Sequence, residues 1–483
     1  MKKGFKGVSL KVVSGSDLEK IHNGSVKLLE DVGIYSESDL ILDVFKQGGA
    51  NVDGLNRVIR IPKDMVEEAL RLAPESFVLY GRSPELDILL EPGMVYFGSG
   101  GSPEPFIWDY NENKKRLSTK QDMIDCTRLA EKLKNIDFAG SICCAGDKHE
   151  DLQLFHEYDA LLRNTNKPLL YSAPSRYHTQ KFIEMAAVVS GGEDKLLKRP
   201  SIGIFTETIS PMKVGKYSDG AIEAAQKGIP VIVALAPMMG ATSPATKAGT
   251  LAQGNAEALF GIVLSQLVNP GSPVIYGPGT GTFDMSICEY SYASPEQAAA
   301  RAVVAQLGEL YKLPTYNLGG AAEAKMPDAE AGAQAMMGML LNAMSGITLT
   351  KVLGTLASGM YGSKEMLLIC DEIALMVKEV LKGVEVNDET LALDVIRDVG
   401  FTGNFLNHEH TAEVFRDEFF FPNLFKRRHI DDWEKASKKS ILEVTHQKVN
   451  EMLAASKPVE LPNGADEEID RLLEEIGKTY QKD

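Results

Sequence analysis

The sequence predicts a (β/α)8 barrel, the TIM-barrel fold, with an N-terminal α+β cap and a helical C-terminal extension. Short apolar β-type runs alternate with helical stretches, giving eight strand–helix pairs from about residue 94 to about residue 382. That count and span suit a barrel of roughly 250 residues. Several runs begin just after a proline, which the first position of a strand tolerates because no ladder N–H is needed there. An open, doubly wound sheet shares the alternation, and the count of eight favours the barrel.

The predicted strands are short and apolar. In chain order they are Met94–Ser99, Phe138–Cys144, Leu169–Ser172, Ser201–Thr206, Val231–Ala236, Val274–Gly277, Thr315–Leu318 and Ile347–Val352. Helix-start signals lie between them: Ser118 or Thr119, Ser294 before Pro295, and Asp328. A long helix is predicted over Lys247–Val268, because Asn269-Pro270-Gly271 is a stop signal.

Three segments follow from this pattern. Residues 1–92 are predicted to form the cap, residues 93–384 the barrel and residues 385–483 the helical extension. The extension contains predicted helices at Glu389–Val399, Thr411–Glu418, Asp431–Ala454 and Asp466–Tyr480. The aromatic and basic stretch at 415–428 is predicted to pack on the barrel or on another subunit, so we expect a homo-oligomer.

Charge and cysteine content exclude several classes of protein. With 67 acidic and 51 basic residues the net charge is −16, which repels nucleic acid and favours approach of a cationic small molecule. The N-terminus lacks an apolar signal-peptide core, and no apolar run is long enough for a membrane span. Five cysteines without a CxxC pair indicate reduced thiols, so a cytoplasmic location is predicted.

Common catalytic motifs are absent from the sequence. There is no P-loop, no GxGxxG spacing after a strand and no HExxH. His408 and His410 form the only close histidine pair, and such spacing chelates a metal only in extended structure, so no metal site is predicted.

Barrel enzymes place their reactive groups at the carboxyl ends of the strands. The candidates there are mostly aromatic. Glu207 is the predicted catalytic residue, and the predicted substrate-binding residues are Tyr96, Phe97, Tyr171, Phe205, Tyr276, Asn317, Thr350 and Lys351. Aromatic faces with a carboxylate suit a permanent cation, because the ring quadrupole attracts it. Packing within the barrel is the alternative for each aromatic. Lys351 could form a Schiff base, bind a substrate carboxylate or be a solvated strand end.

Gly228–Gly277 resembles the trimethylamine methyltransferase family, in particular its homologues that lack pyrrolysine. The supporting segments are Ile209–Lys213, Asp284-Met285, Ala324–Gly332, Asp394–Gly403 and Phe405–Phe421. The resemblance implies a barrel enzyme that transfers a methyl group from a quaternary amine to the Co(I) of a cognate corrinoid protein. The cobalamin would be carried by that partner and would not be tightly bound by this chain.

One departure from the family narrows the donor. Where the trimethylamine enzymes carry pyrrolysine, residues 318–325 here read LGGAAEAK. A quaternary ammonium already leaves as a neutral amine, so the resemblance implies a betaine-type donor: proline betaine, carnitine, γ-butyrobetaine or glycine betaine. The histidine and glutamate of glycine-betaine homologues correspond here to Lys351 or Val352 and to Ala357 or Ser358, which favours larger betaines. A Schiff-base lyase or aldolase using Lys351, and a betaine-binding protein without turnover, are the alternatives.

Overall fold

The computed structural model describes residues 1–2, 4–7, 10–100 and 104–480 and is a mixed α/β structure. Across these ranges no helix has both the length and the apolar character needed to cross a bilayer. The N-terminal elements are β1 (Phe5–Lys6), α1 (Gly15–Asp31), β2 (Ile34–Ser36), α2 (Asp39–Gln47), β3 (Asn51–Asp53), β4 (Val58–Arg60), α3 (Lys63–Leu72), β5 (Phe77–Leu79) and β6 (Ile88–Leu90).

The central elements alternate in type. The first half comprises β7 (Met94–Ser99), β8 (Phe106–Asp109), β9 (Lys114–Leu117), α4 (Lys120–Lys132), α5 (Gln153–Asn164), β10 (Leu169–Ser172), α6 (Arg176–Ser190), α7 (Glu193–Lys198), β11 (Ile202–Thr206), β12 (Lys213–Val214) and α8 (Asp219–Gln226). The second half comprises β13 (Val231–Leu235), β14 (Met238–Met239), α9 (Lys247–Val268), β15 (Val274–Pro278), β16 (Gly281–Asp284), β17 (Glu289–Ser291), α10 (Pro295–Tyr311), β18 (Tyr316–Leu318), α11 (Ala329–Ser345), β19 (Leu349–Leu353), β20 (Thr355–Leu356), β21 (Tyr361–Gly362) and α12 (Lys364–Lys382).

Parallel pairings connect the central strands in sequence. Strands β10, β11, β13 and β15 form one parallel sheet, and β18, β19 and β7 pair in parallel in another. Single parallel bridges join the two sheets at Tyr276 with Thr315, Gly98 with Phe138, and Ala139 with Leu169. Each strand is therefore paired with the next in the order β7, residues 138–139, β10, β11, β13, β15, β18 and β19, and β19 pairs with β7. We call these eight segments the central strands.

Most predicted elements are present. Seven of the eight predicted strands lie within two residues of their expected bounds, and the helix over Lys247–Val268 is confirmed. The predicted strand Phe138–Cys144 is wrong beyond residue 139, because the Cys144 N–H donates to the Glu104 carbonyl in a neighbouring loop (2.8 Å). The helix-start signals are confirmed at Thr119, Ser294 and Asp328, whose side chains accept from backbone N–H groups of the first turn.

Alternate residues of each central strand face opposite sides. One side forms a compact cluster enclosed by the strands, and its members include Tyr96, Phe138, Leu170, Phe205, Ile232, Ile275, Tyr316 and Leu349. The other side packs against the surrounding helices in a much larger core, to which Val95, Phe97, Leu169, Tyr171, Ile204, Val233 and Tyr276 belong. Because successive side chains of a strand point to opposite faces, only every second residue can reach the space that the central strands enclose.

The C-terminal helices are α13 (Asp388–Leu391), α14 (Leu393–Val399), α15 (Glu409–Glu418), α16 (Ile430–Lys435), α17 (Ile441–Ala454) and α18 (Ala465–Tyr480). The predicted single helix Asp431–Ala454 is wrong, because Ser437 and Lys438 adopt positive φ angles (68° and 51°) that interrupt it. Helix α17 packs against α12 and α4, and α18 against α6. Between residues 383 and 440, all described, Leu424 is the single buried residue.

Candidate active site

A cavity of about 170 Å³ lies at the carboxyl ends of the central strands. A volume of this size suits a small metabolite. Loops following several different strands form its wall. The lining residues are Glu104, Ser172, Phe205, Glu207, Ala234, Leu235, Ala236, Gly279, Tyr292, Tyr316, Asn317, Leu318, Lys351, Val352, Thr355 and Gly359.

Two carboxyl groups belong to this wall. Glu104, in the segment after β7, is buried and accepts a hydrogen bond from the Thr355 hydroxyl (3.3 Å). Burial raises its pKa well above the ordinary value, although Lys351 opposes that shift. Glu207 directly follows β11, and its side chain is exposed to solvent in the cavity wall. The surrounding wall partly desolvates the carboxyl and raises the pKa of Glu207 as well, a shift that Lys351 opposes.

Lys351 extends into the cavity from β19. Its Nζ lies 4.3 Å from the centroid of the Phe205 ring, a cation–π distance. Burial lowers the pKa of Lys351 to about 7, while Glu104 and Glu207 act in the opposite direction. Lys351 therefore interacts with one aromatic face and with two carboxyl groups.

A β-bulge brings two consecutive residues of β19 to the cavity. The register of β19 against β7 shifts between Thr350 and Leu353, and Val352 has a φ of 67°. A β-branched residue is rarely left-handed, and such bulges redirect side chains beside functional sites. Lys351 and Val352 therefore both line the cavity, whereas a regular strand would direct only one of them there.

Three aromatic rings contribute faces to the cavity. Phe205 and Tyr316 meet edge to face, with centroids 5.1 Å apart. Tyr292 follows the β16–β17 hairpin, and hydrogen bonds of its own carbonyl and of its two chain neighbours hold it in place. Its carbonyl accepts from Arg301 Nη2 (2.7 Å), and the adjacent Ser291 hydroxyl and Ala293 N–H both donate to Glu323.

Asn317 contributes a polar atom without a partner. Its Oδ1 accepts from the Leu318 N–H (2.9 Å), which fixes the orientation of the amide. The amide Nδ2 is buried and has no hydrogen-bond partner among the described residues. A buried donor left unpaired is costly, and Asn317 is a residue of the cavity wall although it is in register with Thr350.

The structure brings four of the nine predicted site residues together: Phe205, Glu207, Asn317 and Lys351 line the cavity. The other five do not line it and are corrected to packing positions: Tyr96, Phe97, Tyr171, Tyr276 and Thr350. Four of these occupy the strand face that points to the helices. Tyr96 faces inward, but it packs nearer the amino ends, beside Phe138 and Leu349.

The outward-facing tyrosines have partners that explain their burial. The Tyr171 hydroxyl donates to the Leu154 carbonyl (2.9 Å), and the Tyr276 hydroxyl donates to Asn255 Oδ1 (2.7 Å). These bonds satisfy the phenol groups within the core. Their role is packing between strands and helices.

Sequence reasoning missed several lining residues: Glu104, Ser172, Tyr292, Tyr316 and Thr355. Strand alternation gives the signal for two of them, because Ser172 and Tyr316 are the inward neighbours of Tyr171 and Asn317 in the predicted strands. Glu104 and Tyr292 lie in loops without any motif. Two places in the sequence are singled out by resemblance to glycine-betaine homologues. At the first, both Lys351 and Val352 line the cavity. At the second, Ala357 and Ser358 do not line it, but the adjacent Gly359 does.

Comparison with known proteins gives a match over almost the whole chain. The model of a family described as trimethylamine methyltransferase (MTTB) matches residues 6–476. A trimethylamine methyltransferase MttB of Desulfitobacterium hafniense (strain DSM 10664 / DCB-2) is 34% identical, covering 98% of this chain and 96% of that protein. A glycine betaine methyltransferase of Desulfitobacterium hafniense (strain Y51) is 32% identical, covering 97% of each.

Archaeal relatives and solved structures extend the comparison. A trimethylamine methyltransferase MttB of Methanosarcina barkeri (strain Fusaro / DSM 804) is 34% identical, covering 93% of this chain and 92% of that protein. A solved dihydropteroate synthase from Stenotrophomonas maltophilia is 13% identical, with a TM-score of 0.39, covering 62% of this chain and 97% of that one. The last similarity is too weak to define the fold.

Proposed function

The chain belongs to the trimethylamine methyltransferase family, and on that premise we propose that it transfers a methyl group from a quaternary amine to the Co(I) of a separate corrinoid protein. The observation that carries the proposal is the cavity, which combines aromatic faces with two carboxyl groups. Methyl groups on nitrogen cannot hydrogen-bond, so a quaternary ammonium is bound by ring faces and nearby negative charge.

We propose a (β/α)8 barrel as the scaffold, because the parallel pairings return to β7 and the cavity lies at the carboxyl ends. The sequence-based division into a cap at 1–92, a barrel at 93–384 and a helical segment at 385–483 is retained as part of this proposal, as is a homo-oligomeric state. The covalent chemistry requires no acid–base pair from this chain. The acceptor supplies the electron pair that forms the new bond to carbon, and the C–N electron pair remains on the departing tertiary amine.

Residues of this chain bind and orient the donor. Glu207 contacts the ammonium, and the faces of Phe205, Tyr316 and Tyr292 surround its methyl groups. The positive charge on nitrogen disappears as the methyl group leaves. A carboxylate therefore stabilises the bound donor more than the transition state, and its main contribution is to affinity and orientation.

We propose a betaine-type donor, as one relative is a glycine betaine methyltransferase. Two groups in the wall suit a carboxylate: the Lys351 ammonium and the unpaired Asn317 amide. Proline betaine, carnitine, γ-butyrobetaine and glycine betaine are the candidates. The cavity is lined as a small-ligand site, and we propose that cobalamin stays on the partner protein and approaches the cavity opening.

The test is a single-turnover assay. The protein is mixed with a corrinoid protein reduced to Co(I) and with each candidate donor, and the visible spectrum is followed. We expect conversion to methyl-Co(III) with at least one betaine, and none with the matching tertiary amine. Absence of conversion with every quaternary amine, despite a corrinoid protein shown to be active with another methyltransferase, would overturn the proposal.

A second candidate function rests on Lys351. Burial lowers its pKa to about 7, and a lysine that is neutral near pH 7 is a competent Schiff-base nucleophile. A lyase or aldolase would trap a keto substrate on Lys351 in the presence of borohydride. Loss of trapping in Lys351→Met, with no methyl transfer in the assay above, would favour this second function. Tight betaine binding without either reaction would indicate a binding protein.

A further inference from the structure

Glu257, on helix α9, receives four hydrogen bonds in the protein interior. Its Oε2 accepts from the hydroxyls of Thr208 (2.9 Å) and Ser210 (2.6 Å). Its Oε1 accepts from the Met212 N–H (2.9 Å) and from Gln253 Nε2 (2.9 Å). The side chain is fully buried, yet it lines no part of the cavity. Three of the four donors belong to the loop that follows β11.

All four donors are neutral. A buried carboxylate is costly unless its oxygens are hydrogen-bonded, so the stability of Glu257 depends on keeping these donors in place. The dependence is mutual, because the two hydroxyls and the N–H would otherwise be left in a half-buried loop without acceptors. Three residues of the segment 208–212 are thereby hydrogen-bonded to helix α9.

That loop begins at the cavity. Thr208 directly follows Glu207, and the Glu207 carbonyl accepts from the Ser218 hydroxyl (2.6 Å). At the far end of the loop, β12 pairs with β2 of the N-terminal segment. We propose that Glu257 is a positioning residue, which holds residues 208–212 so that the Glu207 carboxylate faces the donor ammonium. This inference rests on the function proposed above.

The contact joins two sequence segments whose resemblance to the family had no structural explanation. Ile209–Lys213 supplies Ser210 and Met212, and Gly228–Gly277 supplies Gln253 and Glu257. Their hydrogen bonds join residues that are 45 and 47 positions apart in the chain. The segments contribute to the site through loop geometry.

The test begins with Glu257→Gln. Glutamine has the shape of glutamate, but its amide NH₂ replaces one of the two oxygens. It therefore cannot accept hydrogen bonds from all four donors that contact Glu257. We expect faster hydrogen exchange of the backbone amides of residues 208–212. We also expect the KM of the betaine donor and the Kd of tetramethylammonium to rise about tenfold, with kcat within about threefold, because misplacement by 1 Å can cost up to 100-fold.

A matched control lies on the same helix. Gln266 is buried near the other end of α9 and holds a loop there, donating to the Ser272 carbonyl (2.9 Å) and accepting from the Gly271 N–H (2.8 Å). Gln266→Met should lower the melting temperature without changing donor binding or exchange at 208–212. If Glu257→Gln does not fold, Ser210→Ala removes a single donor and should shift the same quantities in the same direction.

A double-mutant cycle separates positioning from general destabilisation. If Glu257 acts through Glu207, then adding Glu257→Gln to Glu207→Gln should not raise the tetramethylammonium Kd further. Independent, multiplicative effects of the two substitutions would overturn the inference. If the wild-type protein neither transfers methyl groups nor binds tetramethylammonium, the proposed function fails; unchanged exchange at 208–212 in Glu257→Gln overturns the inference separately.

Discussion

Ionisable side chains lie at both ends of the central strands, but those at the amino ends form ion pairs, whereas those at the carboxyl ends line a cavity. At the amino ends, Asp137 contacts Lys2 Nζ (2.5 Å) and Lys378 Nζ (3.4 Å) and accepts from the Phe97 N–H (2.8 Å). Burial alone would raise the pKa of Asp137, but the two lysines hold it below the ordinary value. The Asp137 carboxyl group is thus paired with both lysines.

At the carboxyl ends the ionisable groups border a cavity. Burial raises the pKa values of Glu104 and Glu207 and lowers that of Lys351 to about 7, so each group is displaced toward its neutral form. Carboxyl and amino groups thus form ion pairs at one end of the strands and line the cavity at the other. Residues at functional sites commonly lower stability in this way.

The largest expected effect is at the amino ends. Asp137→Asn leaves Lys378 and Lys2 without their carboxylate, and breaking a buried ion pair from one side costs about 3–5 kcal/mol of unfolding free energy. Chemical denaturation should show this loss. Glu207→Gln is the matched control, replacing a carboxyl at the other end, and we expect its unfolding free energy to change by less than about 1 kcal/mol. Equal losses in the two variants would contradict the contrast.

The next effect is on donor binding. Glu207→Gln should raise the KM of the donor by about 10- to 100-fold, equivalent to about 1.4–2.8 kcal/mol, because the ammonium loses its carboxylate. The kcat should change much less, since the charge on nitrogen disappears in the transition state. Steady-state kinetics measure both quantities. Asp137→Asn, assayed below its melting temperature, should leave KM unchanged.

The pH dependence of donor affinity should distinguish two kinds of donor. Affinity is lost as pH falls through the raised pKa of Glu207, because the protonated carboxyl no longer attracts the ammonium. A donor with a carboxylate also loses affinity above about pH 7, where Lys351 gives up its charge. Calorimetry should therefore give a bell-shaped profile for a betaine and an acid limb alone for tetramethylammonium. Identical profiles would argue against contact between Lys351 and the carboxylate.

Protein stability should respond to pH in opposite directions through Asp137, at the amino ends of the central strands, and through Glu207, at the carboxyl ends. Asp137 has a lowered pKa, so its contribution is present above the unfolded-state pKa and is lost as pH falls through the folded-state pKa. Glu207 has a raised pKa, so lowering the pH through that value stabilises the folded state. The difference in unfolding free energy between the wild type and Glu207→Gln should therefore become more favourable to the wild type as the pH falls.

The smallest effect concerns one aromatic face. Tyr292→Leu keeps an apolar side chain but removes the ring, and a cation–π contact contributes about 0.5–2 kcal/mol. We expect the tetramethylammonium Kd to rise about 2- to 30-fold, whereas Tyr292→Phe should leave it nearly unchanged. Calorimetry checks both variants. An equal loss in Tyr292→Phe would indicate that the hydroxyl, and not the ring, contacts the ligand.

Much of the fold follows from local signals in the sequence. Alternating strand and helix patterns, caps at Thr119 and Ser294, and the Asn269 stop are determined by neighbouring residues, and these elements are present. The predicted strand Phe138–Cys144 is too long, because the Cys144 N–H donates to the carbonyl of Glu104, a residue remote in sequence. The break after Lys435 depends on positive φ angles at Ser437 and Lys438, which neither residue type indicates.

The site residues are predicted from their positions at strand ends, without regard to which face of the strand they occupy. Four of them, Phe205, Glu207, Asn317 and Lys351, line the cavity. The error at Tyr171 and its counterparts arose from treating both faces of a strand alike, although one face packs on helices. Glu104 could not be found in this way, because the folding of its loop, and not its sequence neighbourhood, brings it beside Lys351.

The pairing of β19 with β7 affects when the cavity can form during synthesis and folding. It joins Leu349 to Tyr96, about 250 residues apart, so these strands meet only late in synthesis. Lys351 and Glu104 become neighbours in the same event. A chain that ends before β19 lacks Lys351 and cannot complete the cavity, and a ligand that binds only the completed cavity stabilises the strand pairing.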